Sequence, residues 1–338
     1  MKLAAAVGRV REGGTLSRSE SRAVFSGTLV EGFDAGLLAE LLRGLAARGE
    51  TPAEIAGGAE ALREAMVPFH HDHRDAIDTC GTGGDGRGTF NLSTAAAIVA
   101  AAGGAKVIKH GNRSQSSRCG SADLLEAAGI PLDLPSARSR RILDEVGITF
   151  LFAPAHHPAL KHAAPVRRAL GCRTIFNFLG PLANPGSVQR QLVGVPEERR
   201  VSEIAAALEE LGHEAGYVVH GAGGADELTL AGRNLVQAVG KSPRERFDAE
   251  PLGLRRAEIA DLAGGDAAAN LRLLRSVLGG EGSAHLDAVI LNAAAALVAA
   301  GIAQDAPDGA RRAGEAIASG RARDLMARWV AAAREPAP

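Results

Sequence analysis

From Ala76 onward the sequence alternates short apolar runs with helical segments, and this alternation constrains the fold most strongly. The apolar runs predict strands near residues 76–79, 106–109, 148–153 and 216–220. The intervening segments predict helices near residues 93–103, 121–129, 137–145, 157–170 and 201–211. Strands that alternate with helices favour a mostly parallel sheet covered by helices on both faces. We therefore expect an α/β fold for this part of the chain.

The chain before Ala76 has a different, helical pattern. Residues 16–66 are predicted to be helical, and Thr51-Pro52-Ala53-Glu54 is a capping box with proline at the first helical position. The polar segment HHDHRD at 70–75 then indicates a boundary, and the tail from Asp266 is helical again. We expect a small helical domain of residues 1–72 and a larger α/β domain of residues 73–338.

Composition and charge argue against several classes of protein. The 338 residues carry a formal net charge of −1 and include one Trp, one Tyr and nine Phe. Such a chain lacks both the single-sign field and the aromatic platforms of nucleic-acid binders, so no nucleic-acid partner is expected. The longest Ala-rich run, NAAAALVAAGIA, is shorter than the roughly 20 residues of a membrane span, so no membrane association is expected.

The three cysteines, Cys80, Cys119 and Cys172, lie far apart and include no C-x-x-C pair. This pattern is unlike a disulfide framework or a zinc site. It favours the reducing environment of the cytoplasm.

The segment DTCGTGGDGRGTFNLST at 78–94 has the glycine spacing of a dinucleotide-binding turn and of most of a P-loop. A dinucleotide fold needs the turn to open a helix directly and an acidic residue after the next strand. Here RGTF intervenes at 87–90, and the next strand ends in Lys109, which leaves only a cofactor with a 2′-phosphate open. A P-loop needs Lys and then Ser or Thr after its last glycine, where this chain has Arg87-Gly88.

A third interpretation uses every residue of the same segment. Its glycines let the backbone approach a ligand closely, and Asn91-x-Ser93-Thr94 begins a helix whose N-terminus suits a phosphate. Asp85 would repel a phosphate alone but suits a ligand that also has a sugar hydroxyl, a metal ion or a developing cation. A sugar phosphate with a metal-bound diphosphate has these features. The alternative is an ordinary glycine-rich turn before a capped helix.

Two further clusters follow predicted strands. The segment KHGNRSQSSRCGSAD at 109–123 crowds cationic and hydroxyl-bearing side chains into one loop, which suits a diphosphate. The segment HGAGGADELTL at 220–230 carries Asp226-Glu227, and adjacent carboxylates bind Mg²⁺ when a ligand's phosphates complete the shell. The alternatives are a solvated polar loop and a solvated acidic turn.

Taken together, these motifs resemble the anthranilate phosphoribosyltransferase family. The segments that carry the resemblance occur in order: DTCGTGGDG…TFNLSTA, KHGNRSQSSRCGSADLLEAAG, HPALKHAAPVRRALGCRTIFNFLGPLANP and HGAGGADEL. RGETPAEIAGGAEALR and LNAAAALVAAG extend the resemblance over almost the whole chain.

The resemblance implies transfer of the phosphoribosyl group of 5-phosphoribosyl 1-diphosphate to the amine of anthranilate, releasing diphosphate, in tryptophan biosynthesis. It implies a fold of the nucleoside phosphorylase and phosphoribosyltransferase type, with the active site near the hinge between the two domains. It also implies a homodimer formed mainly through the helical domain, with a contribution from helices near 157–185.

The resemblance further implies a set of site residues. Anthranilate would contact Gly81, Asn112 and Arg167, and Mg²⁺ would be held by Ser93, Asp226 and Glu227. Asp85, Lys109 and Arg167 would be catalytic; the alternative for Arg167 is a cation on a helix surface. The ribosyl donor would contact Gly81, Gly84, Asp85, Thr89, Asn91, Ser93, Thr94, Lys109, His110, Gly111, Asn112, Arg113, Ser114, Ser116, Ser117 and Ser121.

Two rival functions stay open at this point. One is a phosphorylase or phosphoribosyltransferase for another acceptor, such as a pyrimidine nucleoside. The KHGNR loop and the Asn112–Arg167 pair favour anthranilate over such an acceptor. The other is a paralogue that keeps the fold but binds nucleic acid, against which the net charge of −1 speaks. Cys119 stands where the family more often has a serine.

Overall fold

The computed structural model describes residues 1–114 and 117–335, and its N-terminal part is helical. This part consists of α1 (Leu3–Arg11), α2 (Arg18–Thr28), α3 (Ala35–Arg48) and α4 (Pro52–Ala65). The capping box predicted at Thr51 is confirmed, because the Glu54 N–H donates to the Thr51 hydroxyl and the Thr51 N–H donates to the Glu54 carboxylate. Helix α1 lies outside the predicted helical range and was missed.

A six-stranded sheet forms the centre of the α/β part. Its strands are β1 (Ile77–Gly81), β2 (Val107–Gly111), β3 (Ile148–Phe152), β4 (Arg190–Gly194), β5 (Ala215–His220) and β6 (Leu235–Gly240). The order is β3-β2-β1-β4-β5-β6, and every neighbouring pair is parallel except β5 and β6. The mostly parallel α/β fold and the four predicted strands are therefore confirmed.

The sequence pattern missed β4 and β6 for different reasons. Strand β4 begins with two polar residues although it lies between β1 and β5; the buried Gln191 amide donates to the Pro181 carbonyl at 2.8 Å. Strand β6 is an edge strand whose first four side chains alternate between exposed and half-buried positions, and only Val239 is fully buried. Neither strand forms the continuous apolar run that is typical of a buried parallel strand.

Helices flank the sheet, and they are numbered in chain order. They are α5 (Leu92–Ala102), α6 (Ser121–Ala127), α7 (Ser136–Val146), α8 (Ala153–His156), α9 (Leu160–Leu170), α10 (Phe176–Leu179), α11 (Arg200–Glu210), α12 (Ala267–Leu278), α13 (Ala284–Ala299), α14 (Ala306–Ala318) and α15 (Arg321–Arg334). The helix predicted near 157–170 is confirmed as α9, which begins three residues later than predicted, whereas the short α8 before it was not predicted. Pro158 disfavours helical backbone at His157, whose φ and ψ are −119° and 57°.

Two hydrophobic cores lie on opposite faces of the sheet, as the alternation of strand side chains requires. On one face Leu192 and Tyr217 pack with α5 and α13, two alanine-rich helices that are buried on nearly all sides. Among the described residues, however, no helix combines the length and the apolar character that crossing a membrane requires.

The second core joins the helical part to the sheet. Val193 and Val218, on the other face, pack in one cluster with α11, with α9 and α10, and with the N-terminal helices. A buried ion pair crosses the same boundary, because Arg200 of α11 contacts Glu50 and the two side chains are only 3% and 1% exposed. The helical part is thus attached to the sheet by both apolar and ionic contacts.

Candidate active site

The predicted site residues converge at the carboxyl ends of the central strands. Strands β1, β2 and β4 end in Gly81, Gly111 and Gly194, and β5 ends in His220. The segments that follow β1, β2 and β5 carry the three predicted clusters. Open α/β sheets bind ligands in this crevice, so the fold brings together clusters that are separated in sequence.

The glycine-rich loop, residues 82–90, depends on its glycines. Gly83, Gly84, Gly86 and Gly88 have φ values of 70°, 75°, 67° and 65°, in the left-handed region that other residues rarely adopt. Within the loop the Arg87 N–H donates to Asp85 Oδ1 at 3.1 Å. Asp85 Oδ2 is buried and has no hydrogen-bond partner among the described residues.

The acidic pair Asp226 and Glu227 reaches across to this loop and to α5. Asp226 Oδ2 accepts a hydrogen bond from the Gly83 N–H at 2.6 Å. Glu227 Oε1 accepts one from the Ser93 N–H at 2.8 Å, and Thr89 Oγ1 lies 3.5 Å from Glu227 Oε2. Glu227 therefore caps the N-terminus of α5, where Asn91 makes no side-chain cap of its own.

The acidic pair reaches this position because its backbone passes very close to glycines at the ends of the neighbouring strands. A Cβ on Gly194 would lie 1.6 Å from the Asp226 carbonyl oxygen, and one on Gly221 would lie 1.9 Å from that of Glu227. A Cβ on Gly81 would lie 2.2 Å from Asp226 Oδ2. Gly81 and Gly194 at strand ends, and Gly221 just after β5, therefore make room for the loop that carries the carboxylates.

The acidic pair is electrostatically strained. Burial raises the pKa of Asp226 well above its usual range, and the nearby Asp85 carboxylate raises it further. Burial also raises the pKa of Glu227, with a further contribution from Asp226. The charge of Asp85 thus adds to the repulsion within the buried pair, and a bound cation would relieve this repulsion.

Lys109 lies beneath this cluster rather than at the surface. Its side chain is 2% exposed, and its ammonium donates to the Thr79 carbonyl at 2.5 Å and lies 3.4 Å from Ser93 Oγ. Burial lowers the pKa of Lys109, while the buried Asp78 carboxylate opposes that effect. The ammonium faces the hydroxyl of Ser93 at the start of α5.

In the described part of the serine-rich loop, residues 112–120, several polar groups contact one another or α6. Arg113 forms ion pairs with Asp123 at 3.0 Å and Glu126 at 2.7 Å. The Ser114 hydroxyl contacts Ser117 Oγ at 2.7 Å. The Arg113 charge is therefore directed at α6, and Ser116 lies outside the described residues.

The remaining donor-site predictions are located as follows. Asn91 Nδ2 donates to the Cys119 carbonyl at 3.0 Å, and Ser121 Oγ donates to the Asn112 carbonyl at 3.3 Å. Thr94 is buried, and its hydroxyl has no partner among the described residues. These contacts join the beginning of α5, the serine-rich loop and the beginning of α6.

His110 and Gly111 end β2 in tightly packed surroundings. The His110 ring lies 5.1 Å from the His157 ring, centroid to centroid, and burial lowers its pKa well below the usual range. A Cβ on Gly111 would lie 2.2 Å from Ser121 Oγ. Gly111 thus allows the start of α6 to approach the end of β2.

Arg167 lies apart from these contacts, on α9. Its guanidinium packs over the Phe176 ring, 5.1 Å from the centroid, and burial lowers its pKa. No carboxylate of the described residues lies within ion-pair distance of it. A half-buried guanidinium without an anionic partner is well suited to bind a carboxylate ligand.

The sequence pattern did not identify two further residues at the site. Arg173 contacts the Gly83 carbonyl and lies 3.3 Å from the Thr82 hydroxyl, so it holds the glycine-rich loop from the side of α10. Asn270, on α12, donates to Asn91 Oδ1 at 2.8 Å. Arg173 belongs to a motif that carried the resemblance, but Asn270 stands in an unremarkable helical pattern.

Potential metal ligands are few. In the part of the chain that the structure describes, no three His, Cys, Asp or Glu side chains converge as a ligand set. The adjacent carboxylates Asp226 and Glu227 remain, and Glu227 lies at Ser93, whose backbone N–H donates to it. Mg²⁺ is commonly bound by one or two carboxylates with the remaining positions filled by water and substrate phosphates.

Comparison with known proteins identifies the class that this fold and site define. Residues 4–66 match the glycosyl transferase family, helical bundle domain, and residues 73–323 match the glycosyl transferase family, a/b domain. The two matches agree with a helical bundle followed by an α/β sheet.

Relatives within this class are similar over nearly the full length. The anthranilate phosphoribosyltransferase of Anaeromyxobacter sp. (strain K) is 47% identical over 98% of this chain and 99% of its own. That of Roseiflexus sp. (strain RS-1) is 48% identical over 88% of each. The chain belongs to the anthranilate phosphoribosyltransferase family, and the resemblance of its motifs to that family is confirmed.

Solved structures agree with this assignment. The crystal structure of anthranilate phosphoribosyltransferase from Thermus thermophilus matches with a TM-score of 0.93 and 46% identity, over 98% of this chain and 99% of that one. The enzyme from Saccharomyces cerevisiae in complex with PRPP and Mg matches with a TM-score of 0.88 and 25% identity, over 98% and 97%.

Proposed function

We propose that this protein transfers the phosphoribosyl group of 5-phosphoribosyl 1-diphosphate to the amine of anthranilate, giving N-(5-phosphoribosyl)anthranilate and diphosphate. Family membership over the whole chain supports this activity, which belongs to tryptophan biosynthesis. The single observation that carries the proposal is the meeting of the glycine-rich loop, the acidic pair and the N-terminus of α5.

The donor is proposed to bind between the glycine-rich loop and the serine-rich loop. Backbone N–H groups of the first loop and hydroxyls of the second suit its phosphates. Lys109 is proposed to stabilise the negative charge of the leaving diphosphate without contacting it directly. Its buried ammonium would act electrostatically and through the nearby Ser93 hydroxyl. The buried, unpartnered Asp85 Oδ2 supports a role for Asp85 in stabilising positive charge on the ribose.

The residues of the acidic pair fit a magnesium ion. The raised pKa values of Asp226 and Glu227 and the unpartnered Asp85 oxygen both indicate negative charge that no protein cation fully compensates. Ser93, Asp226 and Glu227 would hold Mg²⁺ together with the donor's diphosphate. When bound, the ion would neutralise charge on the leaving group.

Anthranilate is proposed to contact Gly81, Asn112 and Arg167. The unpaired charge of Arg167 suits the anthranilate carboxylate, which would orient the amine toward the ribose. The amine attacks the anomeric carbon as diphosphate leaves, and a neutral aromatic amine needs no strong base. Catalysis on this proposal comes mainly from positioning two substrates and from electrostatic stabilisation of the leaving group.

We also propose the domain limits 1–72 and 73–338 and a homodimer formed mainly through the helical domain, with a contribution from helices near 157–185. Val30 and Val67, both in the helical part, are 57% and 46% exposed and are therefore available for contact with a partner. Light scattering should give twice the chain mass of 34.7 kDa.

The three unpaired cysteines support a cytoplasmic location.

A fluorescence assay tests the proposed reaction directly. The protein is mixed with anthranilate, Mg²⁺ and 5-phosphoribosyl 1-diphosphate, and anthranilate fluorescence should fall. Omission of the donor or of Mg²⁺ is the control. No loss of fluorescence beside an active control enzyme would overturn the proposal.

A further inference from the structure

The C-terminal part of the chain sends one segment to both proposed donor loops. Residues 262–270, called the brace, comprise a short extended piece and the first turn of α12. Near the start of the brace, the Phe90 N–H donates to the Leu262 carbonyl at 2.8 Å and the Gly264 N–H donates to the Gly88 carbonyl at 2.9 Å. The brace therefore fixes the end of the glycine-rich loop by backbone pairing.

The backbones of the brace and of the glycine-rich loop are tightly packed at this pairing. A Cβ on Gly264 would lie 2.9 Å from Phe90 Cα, so the two backbones are in direct contact. The His285 ring packs edge-on to the Phe90 ring with centroids 5.7 Å apart, and its Nε2 lies 3.0 Å from the Ala263 carbonyl. The brace is thus itself fastened to α13.

The far end of the brace reaches the serine-rich loop through side chains. Asn270 is 1% exposed; its Oδ1 accepts from the Gly265 N–H at 2.6 Å and its Nδ2 donates to Asn91 Oδ1 at 2.8 Å. Asn91 Nδ2 in turn donates to the Cys119 carbonyl at 3.0 Å. Two hydrogen bonds, from Asn270 to Asn91 and from Asn91 to the Cys119 carbonyl, therefore connect the brace with the loop proposed to hold the diphosphate.

Backbone groups at both ends fix the direction of this relay. The Gly265 N–H can only donate and the Cys119 carbonyl can only accept, so each asparagine amide has one permitted orientation. Asn91 makes no cap for α5, so its amide is held by its partners on the brace and on the serine-rich loop. Buried amide networks of this kind specify one arrangement when every member is satisfied.

We propose that Asn270 is a positioning residue for the ribosyl donor, acting through Asn91 to set the distance between the glycine-rich and serine-rich loops. This inference rests on the proposed donor site, but not on the identity of the acceptor. Asn270 touches neither substrate on this proposal, and its effect falls on donor binding rather than on anthranilate binding.

Asn270→Asp is the sharpest variant, because it keeps the acceptor for the Gly265 N–H and removes the donor to Asn91. Binding of 5-phosphoribosyl 1-diphosphate with Mg²⁺ is measured by calorimetry, and KM is measured for both substrates. We expect the donor Kd and the donor KM to rise about tenfold, as for one lost buried hydrogen bond, with the anthranilate KM unchanged. Asn270→Ser, which adds no charge, repeats the test if Asn270→Asp does not fold.

Two further variants separate positioning from mere destabilisation. Leu274→Ala removes a buried side chain on the same helix, 1% exposed, without touching the relay, and should lower Tm while leaving the donor Kd unchanged. Asn91→Ala combined with Asn270→Ala should bind the donor no more weakly than Asn91→Ala alone, since both act through one relay.

The outcomes discriminate between this inference and the proposed function. An unchanged donor Kd in both Asn270 variants, an equal rise with Leu274→Ala, or additive losses in the double variant would each overturn the positioning role. A wild-type protein that binds the donor but does not consume anthranilate would instead refute the proposed acceptor and leave the Asn270 measurement valid.

Discussion

Gly194→Ala should abolish most of the activity although the residue touches no substrate. The added Cβ would lie 1.6 Å from the Asp226 carbonyl oxygen and 2.4 Å from its carbonyl carbon. Real Cβ contacts essentially never fall below 3.0 Å, so the backbone of the acidic pair would have to move by about 1.4 Å. A misplacement of about 1 Å costs on the order of 10²-fold in rate, so we expect at least that loss in kcat/KM.

The assay must separate this local shift from unfolding. Overpacking costs about 1–3 kcal/mol, which lowers Tm but leaves most of the protein folded. Gly314→Ala is the matched control, because that glycine lies within α14 with no atom within 4 Å of the added Cβ. It should stabilise the protein by about 0.5–1 kcal/mol and keep full activity. A folded Gly194→Ala protein with kcat/KM within a few-fold of wild type would refute the close-approach reasoning.

Four further predictions follow from the site and the core. Asp226→Asn with Glu227→Gln should lower kcat by at least about 10²-fold and alter its Mg²⁺ dependence, without lowering Tm, because both carboxylates have raised pKa values and their charge opposes folding at neutral pH; unchanged kinetics would exclude them as metal ligands. Arg167→Ala should raise the KM for anthranilate more than that for the ribosyl donor, and the opposite pattern in initial-rate kinetics would count against its placement. Arg173→Ala should raise the donor KM about tenfold by releasing the glycine-rich loop, with a smaller effect for Arg173→Lys; equal KM values in all three proteins would contradict this. Burial lowers the pKa of His213 from 6.5 to about 3, so the unfolded chain takes up a proton at higher pH than the folded protein does. The free energy of unfolding should therefore fall below about pH 6.5, by up to about 1.4 kcal/mol per pH unit. His213→Asn should flatten this slope in urea titrations, and an unchanged slope would show that other groups dominate.

Local pattern was sufficient for the framework of the fold and for much of the candidate site. Apolar runs between glycine-rich turns predicted β1, β2, β3 and β5, and parallel pairing of such strands necessarily collects their following loops at one edge. The grouping of Ser93 with Asp226 and Glu227, which lie far along the chain, came instead from the resemblance to the family. Motif order then identified the family.

Contacts that join distant residues with ordinary local sequence were not predictable. Glu227 caps α5 by accepting from the N–H of Ser93, 134 residues earlier, and Arg173 contacts the Gly83 carbonyl, 90 residues away. The sequence also did not indicate that Lys109 is buried, with its ammonium at the Thr79 carbonyl and 3.4 Å from Ser93 Oγ. The burial of a residue at a strand end depends on which elements pack over that end, and the sequence around Lys109 does not indicate those elements.

The buried Glu50–Arg200 pair has a consequence for how the chain loses its structure. The two side chains join the helical part to α11, and the apolar residues around them come from both parts of the chain. Removing residues 1–72 would expose one face of the sheet to water and would remove Glu50 from Arg200, which would keep Glu203 as an ion-pair partner at 2.6 Å. Two regions that are separate in sequence therefore share one cooperative unit, and heating should melt them in a single transition.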